Sequence, residues 1–136
     1  LLSVLKRTPR LNNLFWINLK TTTMKKVEAI IRPSKLKAVQ RGLKEADMPC
    51  LTVVPVKGTG LQKSYSERYR GTEQSMILKT RIMLMCIVSD ENLEKCIDII
   101  LDNSSEGNVG DGKIFIYDVQ EAIRIRTRTR GAEAIK

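Results

Sequence analysis

From Met24 onward the chain switches its apolar period between two residues and about three and a half, and it runs through the same order twice. Val27, Ala29 and Ile31 alternate as one face of a strand does, until Pro33 and Ser34 close the run. Leu36, Val39, Leu43 and Ala46 then recur at helical spacing with lysines and glutamate between them, which predicts an amphipathic helix of about three turns. Thr52 to Val56 is β-branched and reads as a second strand. Pro55 inside it points to a sheet edge or a bulge, because proline has no N–H to give a ladder. Gly58 to about Lys79 carries Gly, Ser, Tyr, Arg and Gln without a sustained apolar period and reads as a long loop.

The second round opens with Ile82 to Val88, a continuous apolar run of strand length. Leu93, Cys96, Ile97, Ile100 and Leu101 make a helical seam behind it, with Asn92 or Asp90 as candidate caps. After the turn EGNVGDGK at 106–113, Ile114 to Tyr117 is a strand, and Ile123, Ile125 and Thr127 alternate with Arg124, Arg126 and Arg128 as a last short one. Strand-helix-strand, long loop, strand-helix-strand predicts an α+β fold: a double βαβ unit with an antiparallel sheet and both helices on one face, the ferredoxin-like plan. The opposite sheet face needs a cover that this chain has no third layer to supply, so self-association is expected.

The regular pattern fills residues 24–136 as one domain, a length that buries a real core. Residues 1–23 read as a basic N-terminal extension standing outside that core: a flexible arm, upstream sequence read in frame, or an acid-free targeting segment. The extension holds Lys6, Arg7, Arg10 and Lys20 without an acidic residue, so the formal charge of +9 falls to +5 for the domain. That weakens a nucleic-acid reading, and aromatic residues at 4% give no stacking platform for bases. No apolar run approaches the roughly 18 residues of a membrane-spanning helix. Histidine is absent, which removes His-based nucleophilic triads and the commonest zinc ligand. Cys50, Cys86 and Cys96 lack C-x-x-C spacing, and three thiols suit a reducing cytoplasm better than a disulfide framework.

Two features carry chemistry. Gly107, Gly110 and Gly112 bracket Asp111 and precede Lys113, so the turn can aim backbone N–H groups at an anion while a lysine supplies charge. A tight helix-to-strand connection needing positive φ explains the same glycines. Neither reading makes it a P-loop, since Ile114 and not Ser or Thr follows the lysine. Arg124, Arg126, Arg128 and Arg130 lie at period two, so a persisting strand would present them on one face. Such a row alone is a solvated edge or a polyanion contact; beside the glycine-rich turn it makes a di- or triphosphate a candidate ligand.

MKKVEAIIRP at 24–33, VKGTGLQK at 56–63, YRGTE at 69–73, GNVGDGKIFI at 107–116 and EAIRIRT at 121–127 closely resemble the PII signal-transduction proteins across residues 24–136. The resemblance implies a ferredoxin-like homotrimer that binds ATP or ADP in clefts between subunits. Its protruding T-loop, here about Gly58 to Lys79, would dock on a membrane transporter such as an ammonium channel, or on a nitrogen-metabolism enzyme. Position by position, the resemblance places Thr52, Gly58, Ile87, Gly110, Asp111, Gly112, Lys113, Arg124 and Arg126 at the nucleotide. Thr52 and Ile87 fall near the adenine, and Arg124 and Arg126 reach the phosphates across the subunit boundary. The residues alone would make Thr52 an ordinary strand residue and Ile87 core. Gln62 matches a Mg²⁺ ligand accompanying ATP, and Gln62 and Arg81 mark the 2-oxoglutarate site.

The departures from the family narrow the expectation. Gln74 stands where many members carry a modified tyrosine and has no phenol, which excludes uridylylation there. Arg81 replaces a lysine, and a planar guanidinium does not substitute for a compact ammonium in a close-fitting site. Leu61 replaces an arginine, Ser64 a glycine and Met85 a glutamate, although Met85 within its apolar strand is fully explained as packing. The expected protein is thus a regulator and not an enzyme. It is cytoplasmic, or peripheral to a membrane through a transporter, with a plastid as the alternative, and its oxoglutarate response is weakened or lost. The other reading kept open is a basic nucleic-acid-binding ferredoxin-like domain.

Overall fold

The computed structural model describes residues 23–60 and 77–136. Its elements are β1 (Met24–Ile31), α1 (Leu36–Glu45), β2 (Thr52–Gly58), β3 (Lys79–Ser89), α2 (Leu93–Ser104) and β4 (Lys113–Asp118), with 3₁₀ turns at Pro33–Lys35, Asp90–Asn92 and Gly131–Ile135. The four strands form one antiparallel sheet in the order β2-β3-β1-β4. This is the double βαβ arrangement expected from the alternating periods. Pro55 lies on β2, an edge strand, where its missing N–H leaves no gap inside the ladder.

Both helices cover one face of the sheet. Val27, Ala29 and Ile31 of β1 and Leu84, Cys86 and Val88 of β3 point toward them, and Val39, Leu43, Cys96 and Ile100 answer from the helices. Period two on the strands and period 3.6 on the helices thus converge on a single core. Gly42 lets the helices approach closely: a Cβ there would lie 2.8 Å from the Ile99 Cγ2 methyl and 3.1 Å from Asn103 Nδ2. The seam expected on α2 is corrected in part. Cys96 and Ile100 are buried and Leu93 and Ile99 pack beside them, whereas Leu101 is 47% exposed and lines a cleft with Ile97.

Helix ends differ from the sequence reading too. Neither Asp90 nor Asn92 caps α2 through its side chain; the chain enters by a 3₁₀ turn with Asp90 and Glu91 in it, where carboxylates favour a helix N-terminus. At the end of α1, Asp47 adopts φ 58°, Met48 N–H donates to Leu43 O at 2.8 Å and Asp47 N–H to Lys44 O at 3.1 Å. This is a Schellman closure, and its partners Leu43 and Met48 are both buried in the core.

The other sheet face carries no helix among the described residues. By register and alternation, Val54 and Val56, Met83, Met85 and Ile87, Ile30, and Phe115 and Tyr117 lie on it, around a Lys26–Glu28 ion pair of 2.9 Å. Phe115 and Tyr117 are 42% and 46% exposed. An apolar face this continuous marks an interaction surface.

Candidate functional site

Three glycines give the 105–113 turn its course, with φ of 75° at Gly107, 100° at Gly110 and 106° at Gly112. Gly112 has a steric reason as well, since a Cβ there would sit 1.7 Å from the Ile30 carbonyl oxygen. The turn therefore runs directly against the end of β1, and Lys113 begins β4 opposite Ile30.

Asp111 is the centre of this turn. One carboxylate oxygen receives Arg32 Nη1; the other accepts from Ser105 Oγ at 3.2 Å and from the N–H groups of Glu106 and Gly107, each at 3.0 Å. Arg32 also donates to Val109 O at 3.1 Å and lies 3.2 Å from Glu106 Oε2, whose other oxygen is 3.0 Å from Lys35 Nζ. The Arg32 guanidinium, seconded by these donors, pulls Asp111 down from the usual carboxylate range to about 2. Part of the sequence reading is revised here: the N–H groups of Glu106 and Gly107 do point at an anion, but that anion is the turn's own aspartate.

The arginine segment departs from the expected strand. Ile123 bridges to Arg130, Arg124 N–H donates to Thr129 O at 2.9 Å, and Arg128 N–H returns to Arg124 O at 2.7 Å with φ 60° at Arg128. Residues 124–128 are thus a tight turn. A strand needs a neighbour to satisfy its backbone, and the described residues offer none there beyond the Ile123–Arg130 bridge. The four arginines consequently share no face. Arg124 donates through Nη2 to the carbonyls of Glu133, at 3.3 Å, and Lys136, and Arg130 lies 3.6 Å from Glu121. Arg126 and Arg128 stand exposed, beside an Ile125 that is 94% exposed.

The family-assigned residues fall mainly in two separate clefts. Thr52, Ile87 and Arg124 line a cleft of about 720 Å³ together with Lys26, Leu51, Met85 and Lys136. Asp111, Gly112 and Lys113 line another of about 410 Å³ with Ile30, Ile97 and Leu101. Ile87 pairs with Lys26 and Lys113 with Ile30, an offset of four residues or about 13 Å along β1. Gly58 ends β2 opposite Lys79, with nothing within 4 Å of where its Cβ would be, and Arg81 pairs with Val56 near the same end. Gln62, Leu61, Ser64, Gln74 and most of the 58–79 loop lie outside the described residues, as does the extension up to residue 22.

The sequence reading missed Arg32, which acts 79 residues away in the chain. It also missed Lys26, which lines the larger cleft, 5.0 Å from the Tyr117 ring centroid, with its pKa raised by the hydrogen bond to Glu28. No local spacing announces either.

No helix among the described residues is long and apolar enough to cross a membrane. Residues 24–129 match the family described as nitrogen regulatory protein P-II. The nitrogen regulatory protein P-II of Pasteurella multocida is 42% identical over 112 residues, covering 82% of this chain and 100% of the relative. That of Porphyra purpurea is 45% identical over the same shares. A crystal structure of Arabidopsis thaliana PII bound to citrate superposes with a TM-score of 0.70 at 29% identity, covering 85% of this chain and 92% of that one. These likenesses do not favour the nucleic-acid alternative. Fold, glycine-rich turn and relatives agree: the chain belongs to the P-II family of nitrogen regulatory signalling proteins.

Proposed function

We propose that neighbouring copies of this protein share an ATP or ADP pocket, and that the 58–79 loop carries the nucleotide state to a protein target. The observation that carries this reading is the division of the assigned residues between two separate clefts. Thr52, Ile87 and Arg124 form an apolar cleft with a cationic rim, suited to a base and the start of a phosphate chain. Gly110, Gly112 and Lys113 form a backbone turn with a cation, suited to the outer phosphates. The described residues of one protomer do not bring these halves together; a second copy would, and the apolar face that carries no helix among the described residues supplies a reason for it to be there. The expected assembly is a homotrimer.

Arg126 sits in the same turn as Arg124 and is free to swing toward a phosphate of the adjoining subunit. Gly58 opens the loop and lets a ligand approach its backbone. ATP and ADP then shift the loop only as far as their affinities for its two arrangements differ. Mg²⁺, for which Gln62 is the assigned protein ligand, would neutralise phosphate charge. The target is a transporter such as an ammonium channel, or a nitrogen-metabolism enzyme, so the protein acts in the cytoplasm or, through a transporter, at a membrane surface. No acid–base pair for catalysis is assigned, and Lys113 and the arginines serve as charge partners. Arg81 in place of lysine weakens or abolishes the 2-oxoglutarate response.

Calorimetric titration of ATP and ADP into the assembled protein tests this. Lys113→Ala removes a charge-assisted hydrogen bond worth about 1.5–3 kcal/mol, so ATP affinity is expected to fall about 10–100-fold. Unchanged affinity would overturn the assignment, and micromolar oxoglutarate binding in Mg-ATP would overturn the view of Arg81.

A further inference from the structure

We infer that Arg32 is a positioning residue for the phosphate end of the proposed nucleotide site, acting through Asp111, and that Asp111 serves the turn from inside without meeting the ligand. The inference rests on the nucleotide reading above and reassigns one of its residues.

Arg32 leaves β1 just before Pro33, which holds it extended at φ −66° and ψ 140°. Its side chain, 15% exposed, reaches under the turn and meets Asp111, Glu106 and the Val109 carbonyl together. Both Asp111 oxygens are thereby engaged, one by Arg32 and the other by Ser105 and two backbone N–H groups. Lys35 closes the network on Glu106. The clamp has two consequences for an arriving phosphate. It fixes the path of residues 105–111, so that Gly112 and Lys113 leave the turn in one orientation against Ile30. It also neutralises a carboxylate that would otherwise repel the phosphate, because Asp111 lies between the two glycines assigned to bind it and two residues before the assigned lysine. A lysine at position 32 would retain charge but lacks the planar fork that reaches several acceptors together.

The test uses the full-length assembled protein and Arg32→Gln, Arg32→Lys, Asp111→Asn and the Arg32→Gln/Asp111→Asn double variant. ATP, ADP and adenosine affinities are measured by calorimetry, and amide hydrogen exchange is followed in parallel. Arg32→Gln and Asp111→Asn are each expected to weaken ATP about 10–30-fold, while adenosine affinity stays within about twofold, because the clamp acts on the phosphate end. Arg32→Lys should be intermediate, and the double variant no worse than about twofold beyond either single one, the signature of groups acting as a unit. Exchange should rise in residues 105–113 and not in β1 or β3. Variants that bind ATP within threefold of the parent, or that lose adenosine in equal measure, would overturn the inference. If the parent bound no ATP while Arg32→Gln still loosened 105–113, the nucleotide reading would fall and the clamp would stand as architecture alone.

Discussion

Asp111 shows how much a residue read from a motif owes to partners that the motif does not name. Its carboxyl is held at about 2 against an ordinary value of 3.8, first by Arg32 and then by its other donors. A depressed carboxylate contributes stability that is fully present above its unfolded pKa and is lost as pH falls through the folded one. The gap in urea midpoint between the parent and Asp111→Asn should therefore be constant above about pH 4, and should narrow between pH 4 and about 2. A gap indifferent to pH in that window would mean that Asp111 is not the ionised centre of the turn. The sequence made the turn legible through its glycines, yet Gly112 answers to a contact that sequence does not display, the Ile30 carbonyl oxygen. Arg32 was invisible for the same reason, since its partners are close only after β1 and β4 have paired.

At the scale of elements, periodicity was a sufficient guide wherever an element had a neighbour to satisfy. Val27, Ala29 and Ile31 alternate because β1 lies between β3 and β4 with helices on one side. Ile123, Ile125 and Thr127 alternate equally well, but among the described residues only Ile123 forms a bridge, and the backbone closes on itself. Pattern reports what a segment can bury, while pairing decides what it becomes. The helix layer offers a sharper test. Replacing glycine by alanine inside a helix usually gains about 0.5–1 kcal/mol. Gly42 should behave oppositely, because the added methyl must displace Ile99 Cγ2 from 2.8 Å, and overpacking a stiff β-branched neighbour costs about 1–3 kcal/mol. Gly42→Ala is expected to lose about 1 kcal/mol in chemical denaturation, and a net gain would show that the helices have room to separate.

For the molecule as a whole, the sheet face that carries no helix among the described residues and the divided site belong together. Met83 lies opposite Ile30 and Val54 near the middle of that face. A carboxylate placed there is tolerable in a lone protomer and costly when a second copy removes its water. Met83→Glu should leave the circular dichroism of the sheet intact, shift sedimentation from trimer to monomer and reduce ATP binding in step. A trimeric Met83→Glu protein, or a monomer with parental affinity, would contradict the shared pocket. Sequence alone supplied the need for a cover on this face. It did not show that Thr52 and Lys113 stand on opposite edge strands of the sheet, because that depends on strand order.

The separation of Lys113 from Arg124 has a genetic counterpart. Under the proposed shared pocket, each junction of a closed ring of three would take the turn of one subunit and the cleft of the next, so damage to the turn and damage to the cleft would reside on different sides of a junction. Rings mixed from Lys113→Ala and Arg124→Ala chains, whichever chain is in excess, should each regain one sound junction, while rings of either chain alone have none. Two individually defective alleles expressed together would then restore a third of the parental sites in every mixed ring.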